Sequence, residues 1–203
     1  WEKLISMSNF EGDAKGSKAL AQGKSCAYSE ETKKAEEGLR KPIMQEAAYL
    51  EARELYLKAE KMPPGPERQK TWRAAAVAYK TALDAAPSRN EAPEAAMNGA
   101  FAYKQVGEYD KAIEMYELFI AKYGDEKTLQ RLKNGDPKAN PPVAAQPKMY
   151  EERVKYLKTA YDALGNSYVL FFDYPKGAGT FDKISTVEHF KTDPMVDIMA
   201  RLG

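Results

Sequence analysis

The chain has 203 residues, 43% hydrophobic and 30% charged, and its 31 basic and 30 acidic side chains leave a net charge of +1. That is enough chain to bury a core, while the charge balance lacks the basic excess of a nucleic-acid binder. The single cysteine, Cys26, excludes an internal disulfide and a cysteine metal cluster, and no apolar run reaches the length of a membrane-spanning helix.

Residues 1–40 are an N-terminal helical segment of low regularity. Trp1, Leu4, Ile5 and Phe10 have helical spacing, after which Gly12, Gly16 and Gly23 interrupt the pattern. Cys26 reads as a small semi-buried apolar residue. Ser29 ahead of Glu30 and Glu31 is a capping pattern, and it predicts a short helix to about Glu37 with Gly38 near its end. Pro42 then predicts the first turn of a new helix. That helix carries Ile43, Ala47, Leu50, Ala52, Leu55, Tyr56 and Ala59 on one face, and Met62-Pro63-Pro64-Gly65-Pro66 ends it. A second helix, Glu67 to Ala86, has an apolar face of Ala75, Val77, Ala78, Tyr79, Ala82 and Leu83, and Pro87 closes it.

The stretch from Glu94 to Gly124 reads as two helices folded back at Val106-Gly107-Glu108-Tyr109. Ala96, Gly99, Ala100 and Tyr103 make one stripe; Ala112, Ile113, Tyr116, Phe119 and Ile120 make the other. Small residues sit where the two axes come closest, and rings fill the space beside them. Thr128, Leu129 and Leu132 then predict a short helix. An inserted loop over 134–147 follows, built on Asn134-Gly135-Asp136-Pro137 and Asn140-Pro141-Pro142. A long helix is predicted from Pro147 to Phe172, then a second-helix pattern at Tyr174, Gly177, Phe181 and Ile184. A last helix opens at Asp193-Pro194 and runs from Met195 to Leu202.

Ala75, Tyr79, Ala82 and Pro87 recur as Ala112, Tyr116, Phe119 and Gly124, an offset of 37 residues. Helical repeats have periods of this size. With Gly99-Ala100, Tyr103, Gly107, Tyr109, Ala112 and Tyr116 in place, the chain resembles the tetratricopeptide repeat family, although Phe119 replaces the family's usual alanine. The resemblance implies an all-α fold, an α-solenoid of antiparallel helix hairpins wound as a right-handed superhelix. Its array covers 41–203, with hairpins at about 43–86, 93–123 and 149–186 and the start of a further repeat at 194–203. Both ends read as cut, so the array is expected to continue, and a leader or lipid anchor outside this stretch stays open. The Pro87–Gly124 unit and Phe171-Phe172-Asp173-Tyr174 are similar to repeats of bacterial cell-envelope proteins, among them outer-membrane assembly lipoproteins and gliding-motility scaffolds. That resemblance implies a periplasmic or outer-membrane-associated location, with the cytoplasm as the alternative.

No catalytic signature is present, so the chain reads as a non-enzyme without cofactor or metal. His189, the only histidine, has no partner that spacing can nominate. Asn134, Asp136 and Asn140 lack the alternation and terminal glutamate of a calcium loop. Gly177-Ala178-Gly179 lacks the lysine and the preceding strand of a phosphate loop. The acidic pairs Glu30-Glu31, Glu36-Glu37 and Glu151-Glu152 read as helix-start carboxylates. What remains is surface recognition of a protein or peptide partner inside a larger multi-protein assembly. In the family, first helices line the concave groove where peptides dock. The resemblance therefore implies a partner-binding face of Glu94, Met97, Asn98, Phe101, Lys104 and Gln105, continued by Thr159, Asp162, Ala163, Asn166 and Val169. Asn98 and Asn166 can pair with both donors and acceptors of a peptide backbone. Asn98 also matches one position of the family's carboxylate clamp, but Glu94, Met97 and Asp162 stand where cations are needed or would repel a carboxylate. An exposed Met97–Phe101 pair instead implies a partly apolar ligand such as an amphipathic helix. The alternatives are an accessory domain of a larger enzyme and a subunit that self-assembles through its end helices.

Overall fold

Proline and glycine set the boundaries of the elements in the computed structural model, which describes residues 30–191 and 193–196. The helices are α1 (Glu30–Lys61), α2 (Pro66–Ala85), α3 (Ala92–Gln105), α4 (Tyr109–Lys122), α5 (Glu126–Asn134), α6 (Pro147–Leu170) and α7 (Tyr174–Thr186), followed by a 3-10 turn, Glu188–Phe190. Prolines occupy the first turns of α2, α3, α6 and α7, where the missing amide costs no helical hydrogen bond. Among the described residues there is no strand, only an isolated antiparallel bridge between Asp136 and Val143. The fold is all-α, with helices that pack in sequential order. The expected readings of Trp1–Phe10, Cys26 and the Ser29 cap lie outside the described residues, as does the last helix beyond Val196.

The chain divides into two units, Trp1–Met44 and Gln45–Gly203. Residues 30–44 of the first are helical, which corrects the expected break near Gly38. One helix runs from Glu30 to Lys61 with Pro42 inside it. An interior proline costs about 3 kcal/mol. Here strong helix formers, EETKKAEE before it and MQEAAYLEARELYLKAE after it, offset that cost.

In the second unit, contacts that descend one helix as they climb the next define antiparallel pairs. Tyr49 Oη donates to Ala86 O at 2.9 Å, the Tyr56 and Trp72 rings meet edge to face at 4.9 Å, and Arg68 Nε donates to Ala59 O at 3.0 Å. These pair the end of α1 with α2. The stripe on α1 is rotated from the expected one. Tyr49, Ala52 and Ala59 are buried, whereas Ile43 and Leu50 are half exposed, and so is Val77 on α2. The α3–α4 pair buries Ala96, Gly99, Ala100, Tyr103, Ala112, Ile113, Tyr116 and Phe119 as expected. Each large side chain brought in from water contributes roughly 1.5–3 kcal/mol. Between pairs, Gly99 lies against Tyr79, and the Phe119 ring meets Tyr156 at 6.3 Å.

The insertion is anchored. Asp125 caps α5 through Thr128 N at 3.1 Å, and Leu129 is buried. The loop folds back on itself through two bonds between Asp136 and Val143, and Gln146 N then returns to Leu132 O at 2.7 Å.

The two interhelical turns of the α3–α4 and α6–α7 hairpins use the same backbone device. Glu108 N bonds Tyr103 O and Gly107 N bonds Lys104 O; in the second turn Asp173 N bonds Tyr168 O and Phe172 N bonds Val169 O. This helix-ending motif needs a left-handed residue, best supplied by glycine. Gly107 has φ 76°, but its counterpart Phe172 has φ 65° and a ring 79% exposed. A side chain in that conformation costs about 1–2 kcal/mol. Phe172→Gly is therefore expected to raise stability by about 1 kcal/mol in urea unfolding, part of the gain being offset by the flexibility glycine adds to the unfolded chain.

Candidate functional site

The expected partner-binding residues of α3 fall into two groups. Glu94, Phe101 and Gln105 are exposed, with Asn98 and Lys104 partly so. Met97 is buried, 7% exposed, which corrects the expected exposed Met97–Phe101 pair. The cause is that α3 is covered on several sides, by α2, α4 and α6, so its buried arc is wider than the single stripe of a surface helix.

Phe101 is 39% exposed and stands on an aromatic base. Its ring lies 5.8 Å from Trp72 and 6.0 Å from Tyr56, which contact each other and, through Tyr56, Tyr79. The contact with Trp72 is edge to face and that with Tyr56 is tilted, and aromatic pairs of this kind contribute beyond their simple burial. Asn98 Nδ2 reaches Glu94 Oε1 at 3.3 Å and Tyr79 Oη at 3.5 Å. Burial pushes the Tyr79 phenol up to about 12, so it stays neutral and able to share that bond. Glu94 lines two small recesses, one with Leu50 and Arg53 of α1 and one with Glu152 and Tyr156 of α6. The first helices of the three pairs thus meet around Glu94.

On α6, Thr159, Asn166 and Val169 are exposed, and Asp162 and Ala163 are partly so. Asn166 Nδ2 donates to Asp162 O at 2.9 Å and Asp162 Oδ1 at 3.1 Å, and Thr159 Oγ1 donates to Lys155 O at 3.1 Å. These are bonds within one helix turn, so the polar groups of α6 are held in place but directed along their own helix. The aromatic base of Tyr56, Trp72 and Tyr79 had no place in the sequence-derived site. Its members are spread over two helices, and their shared contact with Phe101 leaves no local pattern.

His189 gains partners that spacing did not reveal. Its side chain is 4% exposed, Nε2 lies 2.9 Å from Glu126 Oε2, and Nδ1 lies 2.8 Å from Tyr150 Oη. With a proton on Nε2 for the carboxylate, Nδ1 accepts the tyrosine hydroxyl. The imidazole joins α5, α6 and the 3-10 turn, and Phe190 beside it is buried against Tyr161. Among the described residues no group of three or more His, Cys, Asp or Glu side chains is arranged to hold a metal, and no helix is long and apolar enough to cross a membrane. In comparison with known proteins, the chain matches no family model, no curated protein and no solved structure.

Proposed function

We propose that this chain is a non-catalytic interaction scaffold, an α-solenoid of tetratricopeptide type. It binds a segment of a partner protein along the wall formed by α1, α3 and α6, as part of a larger assembly. The repeat reading is supported by the packing of α2 on α3, α3 on α4, α4 on α6 and α6 on α7, with the first helices α3 and α6 also touching and α1 meeting α2 and α3 through Tyr56, the nearest-neighbour arrangement of repeat arrays. One observation carries the binding reading. Phe101 presents a half-exposed ring on a rigid aromatic base, with Asn98 and Glu94 one and two turns away on the same helix. An apolar anchor flanked by donors and acceptors is the chemistry that holds a helix or extended segment of mixed polarity.

Phe101→Ser removes the anchor and leaves the helix propensity of α3 nearly intact. The expected result is loss of partner capture with unchanged far-UV circular dichroism. Met97, being buried, is a packing residue and has no part in this test.

A further inference from the structure

A cavity of about 530 Å³, whose lining includes neither Phe101 nor its aromatic base, lies where the 87–93 turn, the end of α4, α5 with its returning loop, and the start of α6 come together. Its lining carries Arg89, Lys122, Arg131 and Arg153 and no aspartate or glutamate. In a chain with almost equal numbers of acids and bases, this is a marked local separation of charge. A concave site lined by one sign of charge concentrates counter-ions.

Arg153 is the centre of the site. It is 8% exposed, its Nη1 donates to Tyr123 O at 3.0 Å, and its guanidinium lies 5.8 Å from the centre of the Tyr123 ring. Among the described residues no carboxylate forms an ion pair with it. A buried cation is costly to hold without a paired carboxylate; burial pulls the guanidinium below its usual range, and the charge of nearby Glu152 only partly opposes it. Lys122 and Arg131 are exposed at the mouth, and neither forms an ion pair among the described residues. Arg89 differs, because Glu91 and Glu46 hold it at the rim. Glu94 and Glu152 line an adjoining recess of about 80 Å³ that shares Asn90, Pro93, Met149 and Arg153 with the cavity.

We propose that this cavity binds a small phosphorylated molecule, a diphosphate or triphosphate ester. Its anionic end is held by Arg153, Arg131 and Lys122, and its organic part rests on Pro93, Leu132 and Met149. Three cations from three elements match the charge of an oligophosphate, whereas a single carboxylate neutralises one of them. The planar guanidinium fork suits phosphate oxygens in particular. The volume lies within the range of small-molecule sites.

The test is calorimetric titration of the full chain with pyrophosphate, adenosine diphosphate and citrate at low ionic strength. Pyrophosphate and adenosine diphosphate are expected to bind with submillimolar affinity, and citrate at least tenfold more weakly. The double variant Lys122→Gln/Arg131→Gln, at exposed positions, is expected to lose at least tenfold in affinity with unchanged circular dichroism. Lys70→Gln/Lys183→Gln makes the same change in net charge away from the cavity and should bind like the parent chain. No saturable heat with pyrophosphate, citrate bound as tightly, or an equal loss in both double variants would overturn the assignment.

Discussion

Gly165→Leu is expected to unfold the α6–α7 pair, with a stability loss of about 3 kcal/mol or more by urea denaturation, at the upper end of the overpacking range. A Cβ at Gly165 would stand 2.6, 2.8 and 2.9 Å from three atoms of the Phe181 ring, itself buried. A ring moves only as a whole. Behind it the two helices are already close, with the carbonyl of Gly165 3.3 Å from where a Cβ on Gly177 would lie. In an open helix, replacing glycine would instead be stabilising by about 0.5–1 kcal/mol. Gly179 supplies that comparison: it sits on α7 with nothing within 4 Å of an added Cβ, so Gly179→Ala should be neutral or stabilising. Parent-like melting of Gly165→Leu would mean that α6 and α7 do not meet at this glycine.

Gly135→Ala acts by a different route. Its backbone, φ 75° and ψ −174°, lies in a region occupied almost only by glycine, and a side chain there costs about 1–3 kcal/mol. Its added Cβ would also approach Val143 O to 2.6 Å and Ala145 N to 2.8 Å. These are backbone atoms of the returning arm, so they cannot yield as a flexible side chain does. The arm should separate from α5, breaking the Asp136–Val143 bridge and the Gln146–Leu132 bond. Hydrogen exchange at the amides of Val143 and Gln146 is expected to accelerate at least tenfold while the α3–α4 core keeps its protection. Unchanged exchange at those amides would contradict the anchoring of the insertion.

The boundaries of most helices were legible because prolines and glycines mark them, and the α3–α4 interior was legible because its small and aromatic residues repeat at helical spacing. Several features were not legible, each for a physical reason. Pro42 is overridden by helix formers on both sides, a sum over many residues that one breaker does not reveal. Met97 sits at a position that the repeat resemblance makes solvent-facing, but packing on several sides of α3 buries it, and Ile43 and Leu50 turn outward while Tyr49 turns in. The cationic cavity draws on residues from Arg89 to Arg153, the His189 contacts reach back to Glu126, and the aromatic base spans two helices. Pairings across such distances belong to tertiary structure and leave no periodic trace. The turn residue Phe172 is a further case, since nothing in its own segment announces that it replaces the glycine used at 107.

Binding along the α1–α3–α6 wall is tested most directly by the affinity of the Phe101→Ser chain for the partner that the parent chain captures from its native extract, measured with purified components. Losing a central aromatic anchor costs about 2 kcal/mol or more, so the expected result is at least a tenfold weaker complex with the helical circular dichroism of the parent. Equal affinity in the Phe101→Ser chain would contradict binding on this wall.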